Sequence, residues 1–335
     1  MNLFTSPELY PLRIDFSRGT VRFLRMSQQT YRDSVFLDER ARYVEADIEI
    51  KLDDLLLASE SAPVPEKRVH YILNTAFCGS TLLARYFELL SSFFVLKEPR
   101  LLAQLAALDG VPGELWSRCF HLCIRLLSRT YYPHQVVLIK PLESCNLLGN
   151  QLLAHGVGAT ATFLSAPLRH FLLAVLKSAD RRSWICKRAQ SAGNDLVHSS
   201  SLRAIDPQIL TVPQSAAYVW LVDRVLRAQL LSGESRERVF PLSSERLVQS
   251  PRESLSAVAK MCGLNLDSEQ LNGMIDHPSA RKYSKDSSRP YDRSTRDLEL
   301  KELEHCWGAD ADAGIEWAIA HADAVLLDES DQLYL

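Results

Sequence analysis

Short apolar segments alternate with segments of helical periodicity along most of the chain after residue 68. Thr81 to Leu90, for example, carries apolar residues at the three- and four-residue spacing of one helix face. Strands that alternate with helices form a parallel sheet with helices on both faces, so the sequence predicts a three-layer α/β fold with about five strands. The predicted strands are Val69 to Leu73, Phe93 to Leu96, Gln135 to Pro141, Ala159 to Pro167 and Arg238 to Leu247.

The residues on either side of this alternation have a different pattern. Leu12 to Phe16, Thr20 to Met26 and Glu45 to Leu52 alternate apolar with polar residues, which is typical of half-buried strands. Ser59 to Arg68 contains two prolines and is predicted to be a boundary. Arg281 to Arg296 is basic and polar and is predicted to be a long loop. We therefore expect a small mixed N-terminal segment (1–67), an α/β domain (68–280), and a basic loop with a helical tail that packs on that domain (281–335).

Composition excludes several classes of protein. Thirty-eight basic and 41 acidic residues give a net charge of −3, which argues against nucleic acid as a partner. The apolar stretches fall far short of the roughly 20 residues that cross a bilayer. Met1 to Pro11 lacks the basic and apolar segments of a signal peptide. We therefore expect a cytoplasmic protein without a membrane span.

The cysteines and histidines give no metal-site pattern. The seven cysteines form no CxxC pair, and Cys119 with Cys123 lacks a second pair at metal-ligand spacing. The nine histidines form no HExxH motif. We expect reduced, mostly buried thiols and no bound metal.

A turn of small residues follows the first predicted strand of the α/β domain. Thr75 to Ser80 reads TAFCGS, and Thr81 opens the predicted helix. Such a turn presents backbone N–H groups and the positive end of a helix to an anion, and Thr75, Ser80 and Thr81 add hydroxyl groups. The GxxxxGK[ST] motif of nucleotide triphosphatases is absent. An ordinary helix cap with Ser80 as the capping residue is the alternative interpretation.

Several segments, in this order along the chain, resemble the PAPS-dependent sulfotransferases, in particular their bacterial members. FCGSTLLARYFELL with FFVLKEPRLL resembles the family's nucleotide-binding start, ATFLSAPLRHFLLAVLKS its 3′-phosphate segment, and PLSSERLVQSPRESLSAVAKMCGL a later conserved element. The resemblance covers residues 69 to about 264. It implies a P-loop-type fold, PAPS (3′-phosphoadenosine 5′-phosphosulfate) as co-substrate, and sulfuryl transfer to a hydroxyl or amine of a small-molecule, lipid or peptide acceptor.

The resemblance also implies roles for individual residues. The turn Cys78-Gly79-Ser80-Thr81 corresponds to the turn that holds the 5′-phosphosulfate. Glu98 follows the second strand and is the candidate general base; a structural carboxylate paired with Arg100 or Lys97 is the alternative. Lys140 follows the third strand, where it could stabilise the leaving phosphate or extend along the sheet edge to solvent.

The chain departs from the family pattern at three positions. Phe77 stands where members usually carry Lys or Arg, and Ser165 and Ala166 stand where the family has the Arg and Asp of its 3′-phosphate segment. Other cations would then have to contact the phosphates. Among these, Arg85 lies four residues after Thr81 on the same helix face, although an ion pair with Glu88 is the alternative. The other candidates are Arg169, Lys177, Arg181, Arg182, Arg281 and Lys282.

Two further functions fit the same sequence. One is another P-loop group-transfer enzyme such as a kinase, which would require a divalent metal and lacks its usual lysine here. The other is a sulfotransferase-like subunit that binds the nucleotide without catalysis. The substitutions at Phe77, Ser165 and Ala166 favour the latter.

Overall fold

The computed structural model describes residues 3–38, 48–62, 68–108, 113–155, 158–192, 201–278, 282–283, 286–290 and 293–322. Short 3₁₀ turns occupy Glu143–Leu148, Ser201–Ala204, Pro207–Ile209 and Arg236–Arg238. The strands and helices are β1 (Leu9–Asp15), β2 (Thr20–Arg25), α1 (Gln28–Asp33), β3 (Ile48–Lys51), α2 (Leu52–Ser61), β4 (Val69–Asn74), α3 (Ser80–Glu88), β5 (Phe93–Lys97), α4 (Arg100–Ala106), α5 (Gly113–Leu127), β6 (Val136–Lys140), α6 (Gly149–Ala154), β7 (Thr160–Ser165), α7 (Leu168–Leu176), α8 (Ala179–Ala192), α9 (Val212–Ser232), β8 (Val239–Ser243), α10 (Ser244–Gln249), α11 (Pro251–Met261), α12 (Ser268–Asp276), β9 (Lys282–Tyr283), β10 (Asp286–Pro290) and α13 (Arg293–His321).

The main sheet has five strands in the order β5-β6-β4-β7-β8. β4 and β5 both run parallel to β6, with Val69 opposite Val137 and Lys97 opposite Lys140. Every residue of β4, β5 and β6 is buried, as expected for strands covered by helices on both faces. The predicted α/β fold with about five parallel strands is therefore confirmed. β4 is the first strand of this sheet along the chain and lies at its centre. Ligands of such folds bind beyond the carboxyl ends of the strands, at the point where the strand order reverses.

The N-terminal residues form a separate three-stranded antiparallel sheet in the order β1-β2-β3. Thr20 lies opposite Lys51 and Leu9 opposite Arg25. With α1 and α2, this sheet is the small mixed segment that the alternating sequence pattern predicts. Residues 45–47 of the third predicted strand lie outside the described residues.

Two predicted elements differ from the structure. The strand predicted to reach Leu247 ends at Ser243, because the Ser243 hydroxyl accepts a hydrogen bond from Arg246 N and caps the helix that begins there. The segment predicted as a loop contains the two short antiparallel strands β9 and β10, and α13 begins at Arg293.

The chain divides into two compact units. The first comprises Met1–Leu73, Thr81–Thr162 and Leu255–Ala280, and the second comprises Asn74–Ser80, Phe163–Ser254 and Arg281–Leu335. The largest fully buried side chains of the first unit include Tyr71, Phe87 and Phe120, and those of the second include Trp220 and Phe171. Each unit therefore has its own apolar core.

A buried arginine of the first unit binds the backbone of the N-terminal residues through hydrogen bonds. Arg129, 3% exposed, donates from Nη1 to the carbonyls of Leu3 and Ser6 and from Nη2 to that of Leu9, over 2.7–2.9 Å. Its Nε donates to Leu126 O at 2.5 Å. Burial lowers the pKa of Arg129 to about 10, so the guanidinium stays charged at neutral pH and is stabilised by four carbonyl oxygens.

None of the helices in the described ranges combines the length and the apolar character that crossing a bilayer requires.

Candidate active site

The turn between β4 and α3 has an unusual backbone. Phe77 and Gly79 both have positive φ, 61° and 87° respectively. No heavy atom lies within 4 Å of the position that a Cβ on Gly79 would take, so it is the backbone conformation that favours glycine there. α3 begins at Ser80, and the first N–H groups of a helix have no acceptor within that helix. A turn of this conformation that opens a helix can present backbone donors to a small anion, and the role of its residues as anion ligands stays a prediction.

Two hydroxyls of the turn have partners within the second unit. Thr75 Oγ1 accepts from Ala166 N at 2.9 Å, and Thr75 N donates to Leu164 O at 3.1 Å. These bonds attach the turn to the end of β7. Ser80 Oγ donates to Asn74 Oδ1 at 3.0 Å and so braces the turn across its two ends. Cys78 is buried, 3% exposed, in the middle of the turn.

An aromatic cluster in the second unit surrounds the side chain of Phe77. Its ring contacts Trp184 edge-on, with centroids 5.5 Å apart, and Phe171 at 6.3 Å. The guanidinium carbon of Arg181 lies 4.4 Å from the centroid of the Phe77 ring. A positive charge thus lies against a side chain of the turn.

Within the first unit, the structure brings together the two candidate catalytic residues. Lys140 Nζ lies 2.5 Å from Glu98 Oε1, with the side chains 5% and 9% exposed. Glu98 N also donates to Lys140 O at 2.6 Å. The expected alternative partners of Glu98 were Arg100 and Lys97, but Lys97 forms a buried ion pair with Glu88 at 2.6 Å.

This ion pair lies at the carboxyl ends of two neighbouring strands. Lys140 is the last residue of β6, and Glu98 directly follows β5 with a positive φ of 54°. A carboxylate can accept hydrogen bonds at both oxygens, so the bond from Lys140 to Oε1 is compatible with a second donor at Oε2. The arrangement can therefore accept a proton and offers an ammonium group in the same buried place.

Arg85 lies on α3 and is half-buried. Burial lowers the pKa of Arg85, and the charge of Glu88 opposes that effect. The carboxylate of Glu88 accepts a hydrogen bond from Lys97, so the predicted Arg85–Glu88 attraction is shared with a second cation.

Arg169 and Lys177 of the second unit contact carboxylates of α13. Arg169 donates from Nη1 to Asp312 at 2.8 Å and from Nε to Glu304 at 3.1 Å, and Lys177 pairs with Glu299. The hydrogen bonds that Arg169 donates to Glu304 and Asp312 raise the pKa of Arg169. These two candidate phosphate ligands are therefore engaged with α13.

The remaining candidates are a mixed set. Ser165 is the last residue of β7 and is 8% exposed. Lys282 belongs to β9, and Arg281 lies outside the described residues.

Sequence reasoning missed one charged cluster of the second unit. Glu245 accepts hydrogen bonds from His170 Nδ1 at 2.9 Å and from Arg296. Burial alone would raise the pKa of Glu245, but these two bonds lower it to about 2. Glu245 lies 75 positions after His170 and 51 before Arg296, so local sequence patterns gave no signal of these contacts.

A cavity of about 300 Å³ lies at the amino ends of β4, β6 and β7 in the first unit. Its lining includes Arg68, His70, Thr160, Lys260 and Cys262, and none of the predicted site residues. Within the described ranges, no group of three or more His, Cys, Asp or Glu side chains is arranged to hold a metal ion.

The chain is similar in structure to several sulfotransferases. One is the sulfotransferase domain of the Synechococcus PCC 7002 olefin synthase, with 14% identity, 74% of this chain and 96% of that chain covered, and a TM-score of 0.42. A sulfotransferase from Alicyclobacillus acidocaldarius has 15% identity, coverages of 80% and 100%, and a TM-score of 0.38. A mouse sulfotransferase complexed with PAP has 9% identity, coverages of 90% and 98%, and a TM-score of 0.43. The predicted resemblance is thus also found in these structures. No family model and no curated protein sequence matches the chain.

Proposed function

We propose that this protein transfers a sulfuryl group from PAPS to a hydroxyl or amine of a small-molecule, lipid or peptide acceptor. The observation that carries the proposal is the turn of residues 75–79, which follows the central strand of a five-stranded sheet and opens α3 with a positive φ at Gly79. Backbone donors in this position suit a phosphate or sulfate group. The sequence motifs that follow the turn resemble those of sulfotransferases in the same order.

The nucleotide end of PAPS is held by the turn in this proposal. The backbone of Gly79 and the N–H and hydroxyl groups of Ser80 and Thr81 bind the 5′-phosphosulfate. Thr75 keeps the turn in place through its bond with Ala166. PAPS supplies the sulfuryl group and leaves as adenosine 3′,5′-bisphosphate, which takes the electron pair of the broken sulfur–oxygen bond.

Glu98 and Lys140 carry out the proton and charge chemistry. Glu98 takes the proton of the acceptor hydroxyl or amine as the new oxygen–sulfur or nitrogen–sulfur bond forms, so the product is a singly negative sulfate ester or sulfamate and the proton stays on the enzyme. Lys140 donates to Glu98 and holds its carboxylate in a fixed orientation. Its ammonium group also balances the charge that develops on the departing phosphate.

Calorimetric titration with adenosine 3′,5′-bisphosphate in the absence of metal tests the nucleotide half of the proposal. We expect binding at about micromolar strength, weakened at least about tenfold in S80A/T81A. An E114Q variant, altered on the exposed face of α5, is the control and should bind like the wild type. Absence of binding up to millimolar concentration would refute the proposed co-substrate.

The catalytic half is tested by release of adenosine 3′,5′-bisphosphate from PAPS with a panel of phenols and amines. We expect E98Q to lower kcat by about 100-fold, the scale of general base catalysis, while nucleotide affinity stays unchanged. Full activity of E98Q would show that Glu98 is not the base. A strict Mg²⁺ requirement with a nucleoside triphosphate donor would instead identify a kinase.

A second candidate function is nucleotide binding without turnover. The substitutions at Phe77, Ser165 and Ala166, where the family pattern carries charged residues, favour it. Tight binding of the bisphosphate together with no turnover on any acceptor would support this alternative.

A further inference from the structure

We propose that Arg181 supplies the positive charge of the anion-binding turn and that its stacking on Phe77 puts it there. The inference rests on the proposed function and assigns to it a residue that the spacing of the motifs does not single out. Arg181 belongs to α8, about 100 positions after the turn, and contacts it through a ring rather than through a hydrogen bond.

The turn itself has no cation. Asn74 to Ser80 reads NTAFCGS, without lysine or arginine. A phosphate or phosphosulfate group carries at least one full negative charge, and a guanidinium adds Coulomb attraction to the charge-assisted hydrogen bonds that neutral N–H groups already give. A turn of neutral donors therefore gains affinity from a nearby guanidinium.

The Phe77 ring offers a defined surface for such a guanidinium. Arg181 Cζ lies 4.4 Å from the ring centroid, well inside the roughly 6 Å range of cation–π attraction. Arg181 Nη1 donates to Ala174 O at 2.7 Å, which restrains the guanidinium from a second side. Trp184 and Phe171 hold the ring of Phe77 in turn. The charge is thus fixed beside the turn rather than carried on a freely rotating chain.

The neighbouring cations of α7 and α8 have other partners. Arg169 and Lys177 form ion pairs with acidic residues of α13. Arg182 stacks on Trp307 of α13 at 4.9 Å and donates to Leu176 O at 2.5 Å. Of these cations of the second unit, Arg181 is the one whose charge lies against a residue of the turn.

An arginine suits this position better than a lysine. A guanidinium is planar, so it can lie flat on the Phe77 ring while its charge stays close to the turn. The ligand class that fits is a group with several terminal oxygens, such as a phosphate or phosphosulfate ester. A ligand that offers a single uncharged hydroxyl would gain little affinity from the charge of Arg181.

The test compares two adjacent arginines of the same helix. R181M removes the charge beside Phe77, and R182M removes an equivalent charge that stacks on Trp307. We expect the Kd for adenosine 3′,5′-bisphosphate to rise about tenfold in R181M and less than twofold in R182M. R181K, which keeps the charge without the planar group, should recover part of the affinity.

Salt dependence separates an electrostatic role from a structural one. The affinity of the wild type and of R182M should fall as salt rises, while the affinity of R181M should fall less steeply because one screened attraction is gone. F77L, which removes the ring and keeps Arg181, should weaken binding to an intermediate degree. Circular dichroism and thermal unfolding of each variant establish that it folds.

The outcomes are distinct. Equal affinities and equal salt slopes in R181M and R182M would overturn the role of Arg181 and leave the proposed function standing. If the wild-type protein did not bind the bisphosphate, the proposed function would fail and the inference would fall with it. If R181M did not fold, R181K would replace it in the comparison with R182M. A higher Kd in R181K than in R182M would support the role of Arg181, and equal Kd values and salt slopes would overturn it.

Discussion

His70 makes the stability of this protein depend on pH in a way that can be calculated. It lies in β4 with no exposed surface, and its ring nitrogens bond to Thr160 Oγ1 at 2.8 Å and Thr162 Oγ1 at 2.9 Å. Burial lowers the pKa of His70 from 6.5 to about 3, so the folded protein holds a neutral ring at any pH above that value. In the unfolded chain the same ring takes up a proton near pH 6.5.

The sign and size of the effect follow from this difference. Below pH 6.5 the unfolded state binds a proton that the folded state excludes, so stability decreases as pH falls. Each pH unit in this window costs about 1.4 kcal/mol, and lowering the pH from 7 to 5 therefore costs about 2 kcal/mol through His70 alone. Above pH 7 the contribution is constant.

Urea denaturation at pH 7 and pH 5 measures this term. We expect the wild type to lose about 2 kcal/mol more of its unfolding free energy between the two values than H70Q, whose amide can donate and accept but does not titrate. H134Q, at an exposed histidine, is the control and should keep the wild-type slope. Equal pH slopes in H70Q and the wild type would refute the reasoning.

The hydrogen bonds also fix the tautomer of His70. Thr160 Oγ1 donates its single proton to Met261 O at 3.1 Å, so it can only accept from the ring. His70 Nδ1 must then carry the proton, and Nε2 accepts from the hydroxyl of Thr162. Nitrogen chemical shifts of the His70 ring should report the Nδ1–H form, and an Nε2–H form would contradict this assignment.

Three further predictions concern residues of the two units. R129M should lower the unfolding free energy by at least about 3 kcal/mol, because buried carbonyls lose a charged donor. The control R118M removes an exposed ion pair and should lower it by at most about 1 kcal/mol. Denaturation measures both values. T75V should cost about 2 kcal/mol because Ala166 N–H loses its acceptor, and T75S should restore most of it. The pKa of Glu245 is lowered from 4.5 to about 2, so its carboxylate stabilises the folded state above pH 4.5 and this stabilisation is lost as pH falls towards 2. The difference in unfolding free energy between the wild type and E245Q should therefore shrink over that range.

The sequence predicts the strands of the main sheet well and their arrangement not at all. β4, β5 and β6 are predominantly apolar and are buried along their whole length, which is the pattern of a strand covered on both faces. Their order in the sheet depends on crossover connections that no local pattern encodes. The strand was predicted to reach Leu247, but the Ser243 hydroxyl caps α10 and ends β8 there.

The sequence proposes members for the candidate site but does not show which of their side chains are in contact. Thr75 to Thr81 are adjacent in the chain, so their turn could be recognised from spacing. Contacts such as Arg181 with Phe77 join residues about 100 positions apart. Local sequence periodicity does not predict a cation–π contact. The two side chains meet because α8 packs beside the turn.

The geometry at the end of β5 gives Glu98 a partner, Lys140, that neither interpretation of the sequence named. Lys97 is the last residue of β5 and bonds to Glu88 on α3. Lys97 lies opposite Lys140 in the register of β5 and β6, and the positive φ of Glu98 just beyond the strand brings its carboxylate onto the Lys140 ammonium. Two opposite charges thus meet where β5 ends and the backbone takes a positive φ, a conformation that costs strain for a residue other than glycine.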